Sequence, residues 1–102
     1  MITRVWHGWT SADNANADEE LLRTKILPGI HNVEGYLGAG LLRRSVGDEV
    51  EFITLTRFDS LDAVRAFAGD DYERAVIVDE AHRLLSRFDE RSAHYETVLE
   101  RA

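Results

Sequence analysis

Between Asn32 and Asp62 the chain reads NVEGYLGAGLLRRSVGDEVEFITLTRFDSLD. Apolar side chains stand at both parities of its two β-rich runs. Successive side chains of a strand point to opposite faces of the sheet, so a ribbon with one wet face would alternate apolar and polar residues. Here Leu41 adjoins Leu42, and Phe52 adjoins Ile53. Both faces of this sheet need a cover, and that requirement limits the folds open to the chain.

The two runs, Gly35 to Ser45 and Glu49 to Phe58, are joined through Gly47-Asp48, which suits a two-residue hairpin with positive φ at Gly47. Ile2 to Thr10, rich in β-branched and aromatic residues, reads as an earlier strand. Between them Asp13 or Asn14 can cap a helix, with Glu19 and Glu20 near its positive end. Leu22, Ile26 and Ile30 form one buried stripe at four-residue spacing. Pro28 removes a backbone donor, and the continuing stripe favours a kink there over a stop.

Ser60 caps a helix through Leu61, Val64, Ala66 and Phe67, and Gly69 ends it. DDYERAVIV reads as a short helical turn. Asp79 starts a further helix through Ala81, Leu84, Leu85 and Phe88, and ERSAHYETVL reads as a last strand.

The order is β-α-β-β-α(α)-β, for which one antiparallel sheet with helices on one face is the economical arrangement: an α+β, ferredoxin-like fold. The helices cover one face only. A second copy packed sheet to sheet is the simplest cover for the other, as a two-fold homodimer. Residues 1–102 are read as one domain, and a chain of 102 residues buries only about two thirds of its unfolded surface, which also favours association.

Twelve Lys+Arg against 19 Asp+Glu give a net charge of -7, with no basic run beyond Arg43-Arg44. Nucleic acid and anionic membrane surfaces are therefore not expected partners. Cysteine is absent, which removes thiol nucleophiles and Cys-based metal sites. The start, MITRVWHGW, lacks the pattern of a secretory signal, and no apolar run approaches a membrane span. A cytoplasmic protein is expected.

GYLGAGLLRR, followed by FITLTRFDSLDAVRAF, resembles the antibiotic biosynthesis monooxygenase-type branch of the dimeric α/β-barrel superfamily. VWHGWT and HYE are similar to an uncharacterised subgroup of it. The resemblance covers nearly the whole chain. It implies a homodimer whose two sheets form a barrel, with a pocket in each subunit between sheet and helices. Members include cofactor-free oxygenases of aromatic polyketides, haem-degrading monooxygenases, and cyclases or isomerases, and fold alone does not choose among them. The haem-degrading members use an Asn on the first strand, a Trp on the second main helix and a haem-ligating His after it. Those positions fall on Trp6-His7-Gly8, near Phe67, and near Val76 or Ile77, so neither haem nor another cofactor is expected.

Four histidines are present: His7, His31, His82 and His94. They form no H-x-H or H-x-x-x-H pair, so no metal site is expected. First and last strands are neighbours in a ferredoxin-like sheet, which could set His7 and His94 around one pocket as candidate bases for a phenol or an enolisable carbonyl. The plainer role for each is to fill a partly buried strand position or to bond to backbone at the interface. His31 and His82 read as surface residues. Trp6, Phe67, Tyr72 and Tyr95 are candidate binding residues for a small hydrophobic or aromatic molecule, against core packing as the plainer role. Gly35, Gly38 and Gly40 lie within a strand and suit close packing or a bulge rather than a phosphate loop. The expected activity is that of a cofactor-independent monooxygenase. The alternatives are a cyclase or isomerase on the same scaffold and a non-catalytic dimeric ligand-binding module.

Overall fold

The computed structural model describes residues 1–101. Strand β1 (Ile2–Ser11) pairs antiparallel along its whole length with β3 (Glu49–Phe58), from Ile2 opposite Phe58 to Ser11 opposite Glu49. Strand β2 (Tyr36–Val46) pairs antiparallel with β3 from the other side, with a register shift between Tyr36 and Gly38. Gly38 has φ +152° and Gly47 in the hairpin has φ +61°, as a bulge and a tight turn require. The far edge of β1 is shared by two short strands, β4 (Leu85–Phe88) and β5 (Ala93–Glu96). The sheet is α+β and ferredoxin-like, with its helices on one face.

Parity explains why both runs carry apolar side chains on both faces. Phe52 and Phe58, both wholly buried, point toward the helices, as do Leu41 and Val50. Val5, Leu42, Ile53 and Leu55 point the other way, and Leu42 is 51% exposed. The expected double-sided sheet is present, and the described residues leave its outer face largely open.

The first helix runs as α1 (Ala15–Leu21), a π-helical turn (Leu22–Ile26), α2 (Leu27–Gly29) and a 3₁₀ turn (Ile30–Asn32). The chain passes Pro28 by widening one turn. Leu27 N–H reaches back to Leu22 O, five residues away, and Pro28 then sits in the first turn of α2, where its missing donor costs little. Helix α3 (Leu61–Ala68) starts at Ser60, whose side chain accepts from Ala63 N–H, and stops at Gly69 with φ +89°.

Three expectations change. Helix α4 (Asp79–Leu84) ends four residues early, and Leu85 to Phe88 is a strand. Thr10 pairs with Leu85 and Gly8 with Phe88, with a bulge between. The extra residue places two apolar side chains three positions apart on one face, which imitates helical spacing. The segment 70–78 makes one turn, closed by Arg74 N–H on Asp71 O, and then runs extended rather than helical. The last strand contracts to Ala93–Glu96, leaving Val98 and Leu99 exposed beyond it.

Candidate functional site

Between the sheet and its helices lies a cavity of about 70 Å³. Its floor is β1 and β3, through Arg4, Trp6, Thr54 and Thr56. Its walls are Asp18, Leu22, Ile26 and Ile30 from the first helix, with Phe67 from α3. Val76, Ile77 and Val78 of the irregular segment close it, together with Ala81, Leu85 and Ser92. The lining is mostly apolar, so its few polar groups are conspicuous.

Asp18 is the first of these. It is 2% exposed and belongs to the same four-residue stripe as Leu22, Ile26 and Ile30. Among the described residues no charged partner offsets its burial, which pushes its carboxyl up to about 6. Such a group is still largely ionised at neutral pH, and is a stronger base than a surface aspartate. Thr54 Oγ1 and Ser92 Oγ are also buried and lack a hydrogen-bond partner among the described residues.

Arg4 is the second charged group in the wall, 4% exposed. Its guanidinium donates to Tyr72 O, to Arg74 O at 3.0 Å and to His94 Nε2 at 3.1 Å. Its carbon end lies 5.5 Å from the Phe67 ring centroid. Burial lowers it to about 10, which leaves it cationic at neutral pH. Arg4 thereby fastens the 70–78 segment over the cavity.

The six residues expected at the site divide. Trp6 and Phe67 line the cavity; Trp6 Nε1 donates to Asp89 O at 2.8 Å, and Phe67 stacks on Phe58 at 5.8 Å. Tyr72 stands behind the wall, edge-on to His94 at 5.1 Å and under Arg65. Tyr95 is exposed and lies opposite Thr3, on the outer side of the sheet.

His7 and His94 do not share a pocket. The terminal strands are neighbours as expected, but the register sets His94 opposite Arg4, and Arg4 and His7 are of opposite parity. His7 is on the outer face, with Nδ1 3.0 Å from Glu51 Oε2. His94 faces the helices, one layer behind Arg4. Arginine accepts no hydrogen bond, so His94 Nε2 is the acceptor and its proton sits on Nδ1, which is buried without a partner among the described residues. Burial first, and then the charge of Arg4, lowers the His94 pKa and keeps the ring neutral.

Solved structures share this fold. An antibiotic biosynthesis monooxygenase-like protein of Deinococcus radiodurans superposes with TM-score 0.71 at 16% identity, over 100% of this chain and 97% of its own. The haem degrader MhuD of Mycobacterium tuberculosis, solved with two haems in its active site, gives 0.64 at 19% identity over 100% of each chain. A monooxygenase of Streptomyces coelicolor, solved with nanaomycin D, gives 0.51 at 18% identity over 68% of this chain and 62% of its own. The fold is that of the antibiotic biosynthesis monooxygenase-like proteins.

No protein-family model matches the chain, and no curated protein matches its sequence. In this monooxygenase-like fold the cavity lies where the resemblance places the subunit pocket, between sheet and helices. Val76 and Ile77, near which the resemblance sets the iron ligand of haem-degrading members, stand in its wall and cannot ligate a metal. Among the described residues no histidine lines the cavity, and no cluster of His, Asp and Glu has metal-binding geometry. No described helix is long and apolar enough to cross a membrane.

Proposed function

We propose that the chain is a cofactor-independent monooxygenase-like enzyme acting on a small aromatic or polyketide-like molecule, with Asp18 as its general base. The observation that carries this reading is Asp18 itself, an unpaired carboxylate buried in an apolar, aromatic-walled cavity. A base set in a largely apolar wall and raised toward neutral suits abstraction of a weakly acidic proton. Trp6 and Phe67 offer ring faces to the substrate, and the neighbouring folds that hold haem or nanaomycin D support a small planar ligand.

For an anthrone the steps balance without an added reductant. Asp18 takes a proton from the ring CH₂, the carbanion reduces O₂ and combines with it as a peroxide anion, and Asp18 returns the proton to give the hydroperoxide. Asp18 then removes the second C–H proton as the O–O bond breaks, and passes it to the departing hydroxide, leaving water and the quinone carbonyl. The substrate supplies all the electrons; one oxygen atom stays as C=O and the other leaves as water. A cavity of about 70 Å³ is smaller than the roughly 150 Å³ site that accepts benzene. Entry of a ring therefore requires the segment carrying Val76 to Val78 to move outward.

An oxygen electrode with a panel of hydroquinones and anthrones tests the reaction. O₂ uptake matched by quinone formation, abolished in Asp18→Asn, is the expected result. Product formed equally well without oxygen would make the chain a cyclase or isomerase instead.

We further propose a homodimer packed through the outer face, where Val5, Leu42, Ile53 and Leu55 supply an apolar surface. Light scattering after size exclusion should give twice the chain mass at micromolar concentration, and Ile53→Arg should shift it to monomer. A wild-type monomer under those conditions removes the dimer from the proposal.

A further inference from the structure

The cavity holds two opposite charges that do not neutralise each other. Arg4 has no carboxylate partner among the described residues; its only bonds are to two backbone carbonyls and a neutral imidazole. Asp18 lines the same cavity without forming an ion pair with it. A guanidinium has five N–H donors, of which three are engaged, so two remain on a group that faces the cavity. Among the described residues no other ionisable side chain lines the cavity: β3 contributes Thr54 and Thr56, Ser92 contributes a hydroxyl, and the rest of the wall is apolar.

Buried charges without partners are costly. Moving the negative charge from Asp18 onto a ligand oxygen beside Arg4 would relieve both at once. We infer that the cavity takes a weak acid that enters neutral, such as a phenol or an enolisable ketone, and holds it as its oxyanion on Arg4 with the proton on Asp18. The substrate O–H, or C–H next to a carbonyl, breaks. Its proton forms a bond to the Asp18 carboxylate, and the electron pair comes to rest on the ligand oxygen. The net charge of the site is unchanged by the transfer, so no counter-ion is needed. Arg4 is then a catalytic residue, because it touches the reacting oxygen, and His94 positions it by accepting one of its hydrogens.

The assignment rests on the cavity being the substrate site, but its test needs no turnover. The full chain is titrated with 4-nitrophenol, whose anion is yellow and whose neutral form is colourless, at a pH between the Asp18 ionisation and that of the free dye. The bound dye is expected to be yellow, its acidity raised about tenfold or more. Asp18→Asn should also bind it yellow but release a proton to the buffer, which the wild type does not; calorimetry in buffers of different ionisation enthalpy reads that difference. Arg4→Met, checked for folding by circular dichroism, should bind the dye colourless.

A colourless wild-type complex overturns the assignment and leaves the small-molecule site standing. Equal proton release by wild type and Asp18→Asn overturns the transfer to Asp18, and a yellow complex with folded Arg4→Met overturns the role of Arg4. Failure to bind the dye at all overturns both the assignment and the site. Yellow binding without O₂ uptake in the separate assay supports the assignment and removes only the oxygenase reaction. The wild-type and Asp18→Asn readings stand even where Arg4→Met does not fold.

Discussion

Asp18→Asn should melt at a higher temperature than the wild type at pH 7.5 while losing about a hundredfold or more in turnover. The two effects have one cause. Burial raises the Asp18 carboxyl from its ordinary 3.8 to about 6 in the folded chain. Between those values the folded state keeps a proton that the unfolded state has already lost, so stability falls as pH rises through that window. The penalty is absent below pH 3.8 and complete above about 6. A shift of this size corresponds to roughly 3 kcal/mol. The replacement amide is itself buried without partners, so a net gain of about 2 kcal/mol is expected, or roughly 10 °C in Tm for a domain of this size.

Near pH 3.5 the wild type carries no charge at this position, and the two melting temperatures should converge. Equal melting at both pH values would show that Asp18 is well solvated or paired, and would remove the strengthened base from the proposed reaction. Loss of the base should also remove the rise in wild-type activity through pH about 6, since general-base assistance is worth about 10² to 10⁴ in rate.

Much of the fold was legible because its signals are local. The hairpin glycine, the Ser60 cap and the Gly69 stop each act within a few residues, and the structure places all three as the sequence suggested. Strand β4 was hidden because a bulge turned its apolar spacing from two into three, the spacing of a helix. That choice is made by the open edge of β1 at Gly8 to Thr10, a tertiary demand that no window of sequence contains.

The site was legible in a different way. Placing the first and last strands side by side was sound, but strand pairing alone does not give register, and the observed register moved the partner of His94 to Arg4. His7, of the other parity, then faced outward. Asp18 did carry a signal: it begins the stripe completed by Leu22, Ile26 and Ile30, so a charged residue stood on a face meant for the core. Arg4 carried the matching one, sharing parity with Ile2 and Trp6 on the helix side of β1. Histidines draw attention by their ordinary pKa, whereas a carboxylate reaches the same range only through burial, which only the assembled fold reveals.

Phe58→Ala should cost about 3–5 kcal/mol in denaturant unfolding, a large part of the stability of any domain this small. Phe58 has no exposed surface and ends β3 at the point where three elements converge. Tyr36 meets its ring edge-on at 5.9 Å, Phe67 stacks on it at 5.8 Å, and Ile30, Ala63 and Val64 share its cluster. Backbone pairing on both sides, to Ile2 and to Tyr36, prevents the strand from collapsing into the void. Leu42→Ala is the useful comparison, because Leu42 occupies the outer face and is half-exposed in the single chain. In an isolated subunit its loss should cost less than about 1 kcal/mol, since little area leaves water there. If a second copy covers that face, the cost should rise toward that of a buried leucine, about 2–5 kcal/mol, and should depend on protein concentration as an association equilibrium requires. A Phe58→Ala cost below 1 kcal/mol would mean the sheet does not pack on the helices through this residue, and the cavity walled by Phe67 would lose its support.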